Sequence, residues 1–205
     1  MIAFFLLFPR YYDPSLSTLR EMIEASAPPS VDLEEMNIWF LIGAQILQAM
    51  LIAPVVNGLA TFGEEFGWRG YLQRKIMPLG PRKAMLAMGA IWGIWHWPVI
   101  LMGYNYGFDY PGAPFLGPLA MVWFCLIVGT FLGWLTIKSD SVWPAVIGHA
   151  AINGMANLGA LFVQGQPNSL LGPLPTGVIG GVGFAVVAAT LFWNRRALRP
   201  RSSKD

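Results

Sequence analysis

Five stretches of this chain, residues 38–63, 84–102, 116–137, 142–163 and 175–193, are apolar over lengths that suit a membrane crossing. About 20 residues of helix span the hydrocarbon core of a bilayer. None of the stretches alternates with the period of two that a barrel strand requires. Helices are therefore the expected spanning elements, because every backbone N–H and C=O must be satisfied within the segment. Only 12% of the 205 residues are charged, against about 25% in soluble domains. The reading is an all-α, polytopic transmembrane helix bundle of about five spans. It would make a multi-pass integral membrane protein, and no nucleic-acid partner is expected.

Three segments are expected around this core. Residues 1–37 hold a short N-terminal apolar segment and an interfacial helix. Residues 38–196 form the transmembrane domain, and residues 197–205 a basic tail. The first eight residues are apolar but too short to cross. They lack the basic start and small-residue cleavage site of a signal peptide, and suit the end of a truncated helix or an interfacial anchor. Leu16, Leu19, Met22 and Ile23 share one face, which predicts an amphipathic helix lying at the interface. Pro28 and Pro29 would end it, and Asp32 with Glu35 would cap the first long helix. Cys125 is the single cysteine, so no disulfide framework exists and packing is its expected role.

Basic residues orient the bundle. All but Arg10 and Arg20 of the 13 Lys and Arg fall after the first span, between the third and fourth spans, or in the tail. With five spans those segments lie on one side. The positive-inside rule then places the C-terminus in the cytoplasm, and a bacterial cell membrane is the expected location. The pairs Gly89/Gly93, Gly129/Gly133 and Gly177/Gly181 would let helices approach closely.

Ionisable groups at membrane depth are costly and tend to mark function. Glu64 and Glu65 stand at the end of the first apolar run. The only two histidines, His96 and His149, lie inside later ones. Glu65 and Arg69 are four apart and share a helix face, so they are expected to pair. That leaves Glu64, about 100° away, to face a cavity, with Trp68 covering it. Such a desolvated carboxylate can serve as a general base. Pro98 would kink the helix after His96. Asn153, one turn beyond His149, shares its face. Each feature alone could be structural: a solvated helix end, an interfacial histidine, a polar stripe between helices. Glu64, His96 and His149 would also make a His₂Glu set for zinc or another divalent metal, although no HExxH is present. Alternatively, Glu64 and one histidine activate water without metal, while Asn153 and the other histidine hold the oxyanion.

Glu64-Glu65-x-x-x-Arg69, Trp92-x-x-x-His96 and His149-x-x-x-Asn153, in that order in membrane helices, resemble the motifs of the CPBP family. This is the family of CAAX-processing and bacteriocin-processing proteases, also called Abi, which includes the type II CAAX prenyl endopeptidases. Trp92 stands where the family usually has Phe. The resemblance implies an intramembrane endopeptidase, with a peptide or membrane-protein substrate cut near the cytoplasmic face. Glu64 would be the base, His96, His149 and Asn153 would complete the site, and Glu65 and Arg69 would support it. The competing readings are a non-catalytic scaffold or bacteriocin-immunity factor and, more remotely, a proton-coupled transporter.

Overall fold

The computed structural model describes residues 1–26, 37–194 and 196–199. Among them the fold is all-helical, with no β-strand. A short helix α1 (Ile2–Leu7) precedes α2 (Ser17–Ser26), the expected amphipathic helix. The Asp13 carboxylate gathers the backbone N–H and hydroxyl groups of Ser15 and Ser17 at the start of α2. Leu19 and Ile23 of α2 pack against buried Leu16, Ile38 and Ile42, whereas Met22 is exposed. The expected Asp32/Glu35 cap lies outside the described residues. The next helix, α3 (Ile38–Leu51), is capped by Asn37, whose Oδ1 accepts from the N–H groups of Trp39 and Phe40. This is a standard N-cap.

The first apolar run folds as two helices, not one. After α3 comes α4 (Ala53–Glu65), and the two are bent by 41°. Pro54 lies in the first turn of α4. It lacks the N–H that would continue the α3 ladder, and its ring crowds the carbonyl one turn back. Beyond α4 the chain widens into a π-helical stretch, Phe66–Leu72, then α5 (Gln73–Ile76). The second run is also interrupted. Helix α6 (Pro81–Trp95) ends at His96, and α7 (Trp97–Leu101) begins with Pro98 in its first turn. Helix α8 (Leu116–Ser139) is continuous, and α9 (Trp143–Met155) continues through a 3-10 turn, Leu158–Phe162. The last helix among the described residues is α10 (Val182–Trp193).

Among the described residues two helices are therefore long and apolar enough to cross a membrane, Leu116–Ser139 and Trp143–Phe162, and a third if the bent α3–α4 pair is one span. The other two expected spans are shorter as helices, for local reasons. Pro98 divides the second run, and the Gly- and Pro-rich stretch 172–181 delays α10 until Val182. Large apolar side chains remain outward-facing along α3, α4 and α10, among them Phe40, Leu47, Val55, Leu59 and Val186. Such surface is what hydrocarbon covers.

Helix α8 is the central post, packed against α6, α7, α9 and α10. Glycines set two of these distances. A methyl group built on Gly93 would lie 2.5 Å from Val122 Cα, and one on Gly89 2.8 Å from Leu126 Cα. Helices α6 and α8 touch there backbone to backbone, as the Gly89/Gly93 pair predicts. Between α4 and α9, Gly154 meets Ala53, with 2.6 Å between a built methyl and the Ala53 Cβ. Thr61 donates across the same interface to the Val146 carbonyl at 3.3 Å. The start of the tail is packed, not free: Ala197 and Leu198 are buried, Leu198 beside Met85 and Met88. Lys138 holds the carbonyls of Arg196 and Arg199, and Arg82 those of Phe192 and Trp193.

These contacts make a test. Gly93→Ala must force α6 from α8 and is expected to lower stability by about 1–3 kcal/mol. Gly58→Ala meets nothing within 4 Å and gains about 0.5–1 kcal/mol of helix preference. Thermal unfolding of both variants in detergent checks the contrast; equal melting temperatures would contradict the close approach.

Candidate active site

The site forms where α4, the π stretch, α6 and α9 meet against α8. Glu65, the last residue of α4, and Arg69 in the π stretch are both fully buried, with Arg69 Nη1 donating to Glu65 Oε1 at 2.7 Å. This is the expected pair. A second partner was not expected. His149 Nδ1 lies 2.9 Å from the same Oε1, reaching it from α9, and is itself buried. The close α4–α9 contact at Ala53/Gly154 makes this reach short.

Glu64 is half-buried and turned the other way. Its Oε2 accepts from the Trp92 indole Nε1 at 3.1 Å. Trp92, not Trp68, is therefore the aromatic group that holds Glu64. Trp68 packs edge-on against Trp95 instead, with centroids 5.9 Å apart. Helix geometry explains the difference: Trp92 comes from α6, whose glycines press it into the bundle, whereas Trp68 stays partly outward.

One indole thus organises the whole cluster. Besides bonding Glu64, Trp92 lies 5.6 Å from the His96 ring and 5.3 Å from the His149 ring, both edge to face. The Arg69 guanidinium sits 4.4 Å over its face, a cation–π contact in a buried setting. The Trp92 carbonyl lies 2.8 Å from His96 Nδ1. That carbonyl is available because the helix breaks at His96. His96 is half-buried, with Trp95 edge-on at 4.9 Å and the Cys125 sulfur 3.8 Å from Nδ1.

The two imidazoles are held alike. Each engages a protein acceptor through Nδ1, a backbone carbonyl for His96 and a carboxylate for His149, which turns Nε2 away from those partners. Asn153 follows one turn after His149, with an exposed side chain and no hydrogen bond from its amide among the described residues. The sequence-derived residues Glu64, Glu65, Arg69, His96 and His149 are brought together, and Asn153 lies at the edge.

Among the described residues, no three His, Cys, Asp or Glu side chains form a group that could hold a metal ion. The donor types of the expected set Glu64, His96 and His149 suit a divalent ion, and both rings are held through Nδ1, as metal-ligating histidines commonly are.

Sequence reasoning missed Trp92 as donor and platform, and the link from His149 to Glu65. It also missed buried Gln73 and Thr61, which extend the Glu65/Arg69 stripe in both directions at four-residue spacing. That spacing, 61-65-69-73, was the available signal.

The described fold and cluster define a helical membrane bundle with a carboxylate–imidazole site in its interior. The sequence profile of the Rce1-like type II CAAX prenyl endopeptidases matches residues 39–155, and the chain belongs to that family. CAAX prenyl protease 2 of Methanococcus maripaludis is 30% identical over 142 residues, covering 67% of this chain and 47% of the relative. The chain therefore spans about half the length of this curated relative. No solved structure matches the chain.

The shared carboxylate predicts strong coupling. Glu65→Ala is expected to cost about 3–5 kcal/mol, because it leaves the Arg69 charge buried and unpaired; Arg69→Met leaves Glu65 with His149 alone and should cost less. The double variant should cost clearly less than their sum. A double-mutant cycle of thermal stability measures this, and additive losses would show that the pair is not coupled.

Proposed function

We propose that the chain is an intramembrane endopeptidase that hydrolyses a peptide bond of a membrane-associated protein or peptide near the cytoplasmic face. The observation that carries this reading is the Glu64 carboxylate, fixed by the Trp92 indole beside two imidazoles whose Nδ1 atoms are already engaged. Family membership supports the same reaction class. The relative's name points to a prenylated CAAX end as the substrate feature, and the outward apolar faces of α3, α4 and α10 suit a lipid-tethered one.

The roles follow from donor and acceptor bookkeeping. His96 Nδ1–H donates to the Trp92 carbonyl, which leaves Nε2 of the neutral ring as an acceptor. Glu64 takes the proton of the attacking water while His96 Nε2 accepts a hydrogen bond from that water's other O–H, and the protonated Glu64 then gives its proton to the departing amine as the C–N bond breaks. His149 is paired with a carboxylate through Nδ1, and in the imidazolium form its Nε2–H is a donor. With the Asn153 amide it stabilises the oxyanion of the tetrahedral intermediate.

Glu64→Gln keeps shape and the bond from Trp92 but takes no proton. It should lower cleavage of a prenylated CAAX peptide in nanodiscs by at least about 10²–10⁴-fold, with membrane insertion and melting temperature retained. Cleavage at the wild-type rate would remove Glu64 as the base. Activity should also survive chelation in protein shown to be metal-free; activity that is lost and then restored by zinc alone would replace this route with a metal-based one.

Orientation has its own test. A reporter fused after Asp205 should read as cytoplasmic, and one inserted between Tyr104 and Ala113, a loop without Lys or Arg, as external. The reverse readout would move the site to the other face.

A further inference from the structure

The stripe Glu65, Arg69, Gln73 carries more hydrogen-bonding capacity than protein groups satisfy. All three side chains are at most 2% exposed. Among the described residues, Glu65 Oε2 and Gln73 Oε1 find no protein donor, and Arg69 Nε and Nη2 find no protein acceptor. Nε and Nη2 share one edge of the guanidinium, the edge opposite the pair with Glu65. Two buried acceptors and two buried donors thus line one continuous stripe against α8. Leaving all four unpaired would cost an amount comparable with the net stability of a domain.

The facing surface of α8 is built for this stripe. Gln73 Nε2 donates to the Gly133 carbonyl at 3.2 Å. A methyl on Gly133 would lie 2.5 Å from Met85 Sδ and 3.0 Å from Gln73 Oε1, so the amide and Met85 both press closely on this glycine. At Gly129 a built methyl would lie 3.4 Å from Arg69 Nη2, 3.7 Å from Gly89 Cα and 3.8 Å from the Trp92 ring. Gly129 thus lies directly beside the free edge of Arg69. Water both donates and accepts, as the two acceptors and two donors together require. Gln73 is followed at once by exposed Arg74 and Lys75, so the stripe leads from Glu65 to the basic end of the bundle.

We propose that Glu65, Arg69 and Gln73 form, with α8 at Gly129 and Gly133, a buried water-binding site, and that water held there links the catalytic cluster to the basic end of the bundle. Bound water closes the hydrogen bonds of Arg69 and Glu65, which fixes the carboxylate that holds His149. Gln73 is on this account a positioning residue, acting through Arg69 and Glu65. The link to the basic end matters catalytically only if the site hydrolyses peptides, so that part rests on the reading above. The water site itself does not.

Radiolytic hydroxyl-radical labelling of the full chain in nanodiscs tests the site without any need for activity. Ordered water activated in place oxidises side chains beside it even when they are buried. Trp92 and Met85 flank the stripe and are at most 1% exposed. They should be labelled several-fold faster than Met121, which is comparably buried but eight residues from Gly129, about 12 Å along α8. Gln73→Leu should reduce labelling at both positions. In the peptide assay it should lower kcat with little change in KM, and Gln73→Glu, which retains an acceptor, should recover part of the loss. Labelling of Trp92 and Met85 as slow as that of Met121 in the wild-type chain would overturn the proposal, whether or not the Gln73 variants fold. Fast labelling in a chain that cleaves nothing would uphold the water site and count against the hydrolase reading alone.

Discussion

A single oxygen, Glu65 Oε1, holds the interior of this bundle together. It receives Arg69 from its own helix and His149 from α9, in a place with no exposure to solvent. In such surroundings a lone carboxylate would be prohibitively costly, and an ion pair is tolerated only with good geometry and further hydrogen bonds. The pair therefore dictates much else. The α4–α9 contact must be close enough for His149 to reach, which small residues at Ala53 and Gly154 allow. Arg69 must have a surface to lie on, which Trp92 provides. Trp92 in turn must be pressed inward, which the contact of α6 with α8 at Gly89 and Gly93 achieves.

The adjacent glutamates consequently differ in kind, although they are chemically identical. Glu65 is saturated on one oxygen and committed to structure. Glu64, one residue earlier, is half-buried and held by a single neutral donor. Consecutive positions on a helix diverge by about 100°, and that divergence separates a supporting carboxylate from one free to exchange a proton. The break at His96 has a similar economy. Pro98 interrupts the helix, and the Trp92 carbonyl then takes His96 Nδ1 as its partner.

Much of this was legible in the sequence, and the parts that were not share a cause. The apolar runs announced a helical membrane bundle, and four-residue spacing announced the Glu65–Arg69 pair and the Gly89/Gly93 contact. The bend at Pro54 was hidden because hydropathy averaged over a run does not register one missing N–H. The late start of α10 was hidden in the same way, since glycines and prolines among apolar residues still read as apolar. The partners of Glu64 and His149 are 28 and 84 residues away. No local periodicity carries such information, so Trp68 looked the better cover for Glu64 by nearness along the chain.

The π-helical stretch between Glu65 and Gln73 holds the chain in a register that an α-helix would not keep. Each widened turn accommodates one residue more than an α-turn. Were Phe66–Leu72 to tighten into an ordinary helix of the same length, everything beyond it would rotate by about 100° relative to α4. The Gln73 amide would swing away from α8, and the charged side chains of Arg74 and Lys75 would sweep toward the apolar interior. The extra residue held in the widened turns thus sets the register, and a one-residue deletion that closes the stretch to an ordinary helix should keep Gln73 against α8, whereas a one-residue insertion should not.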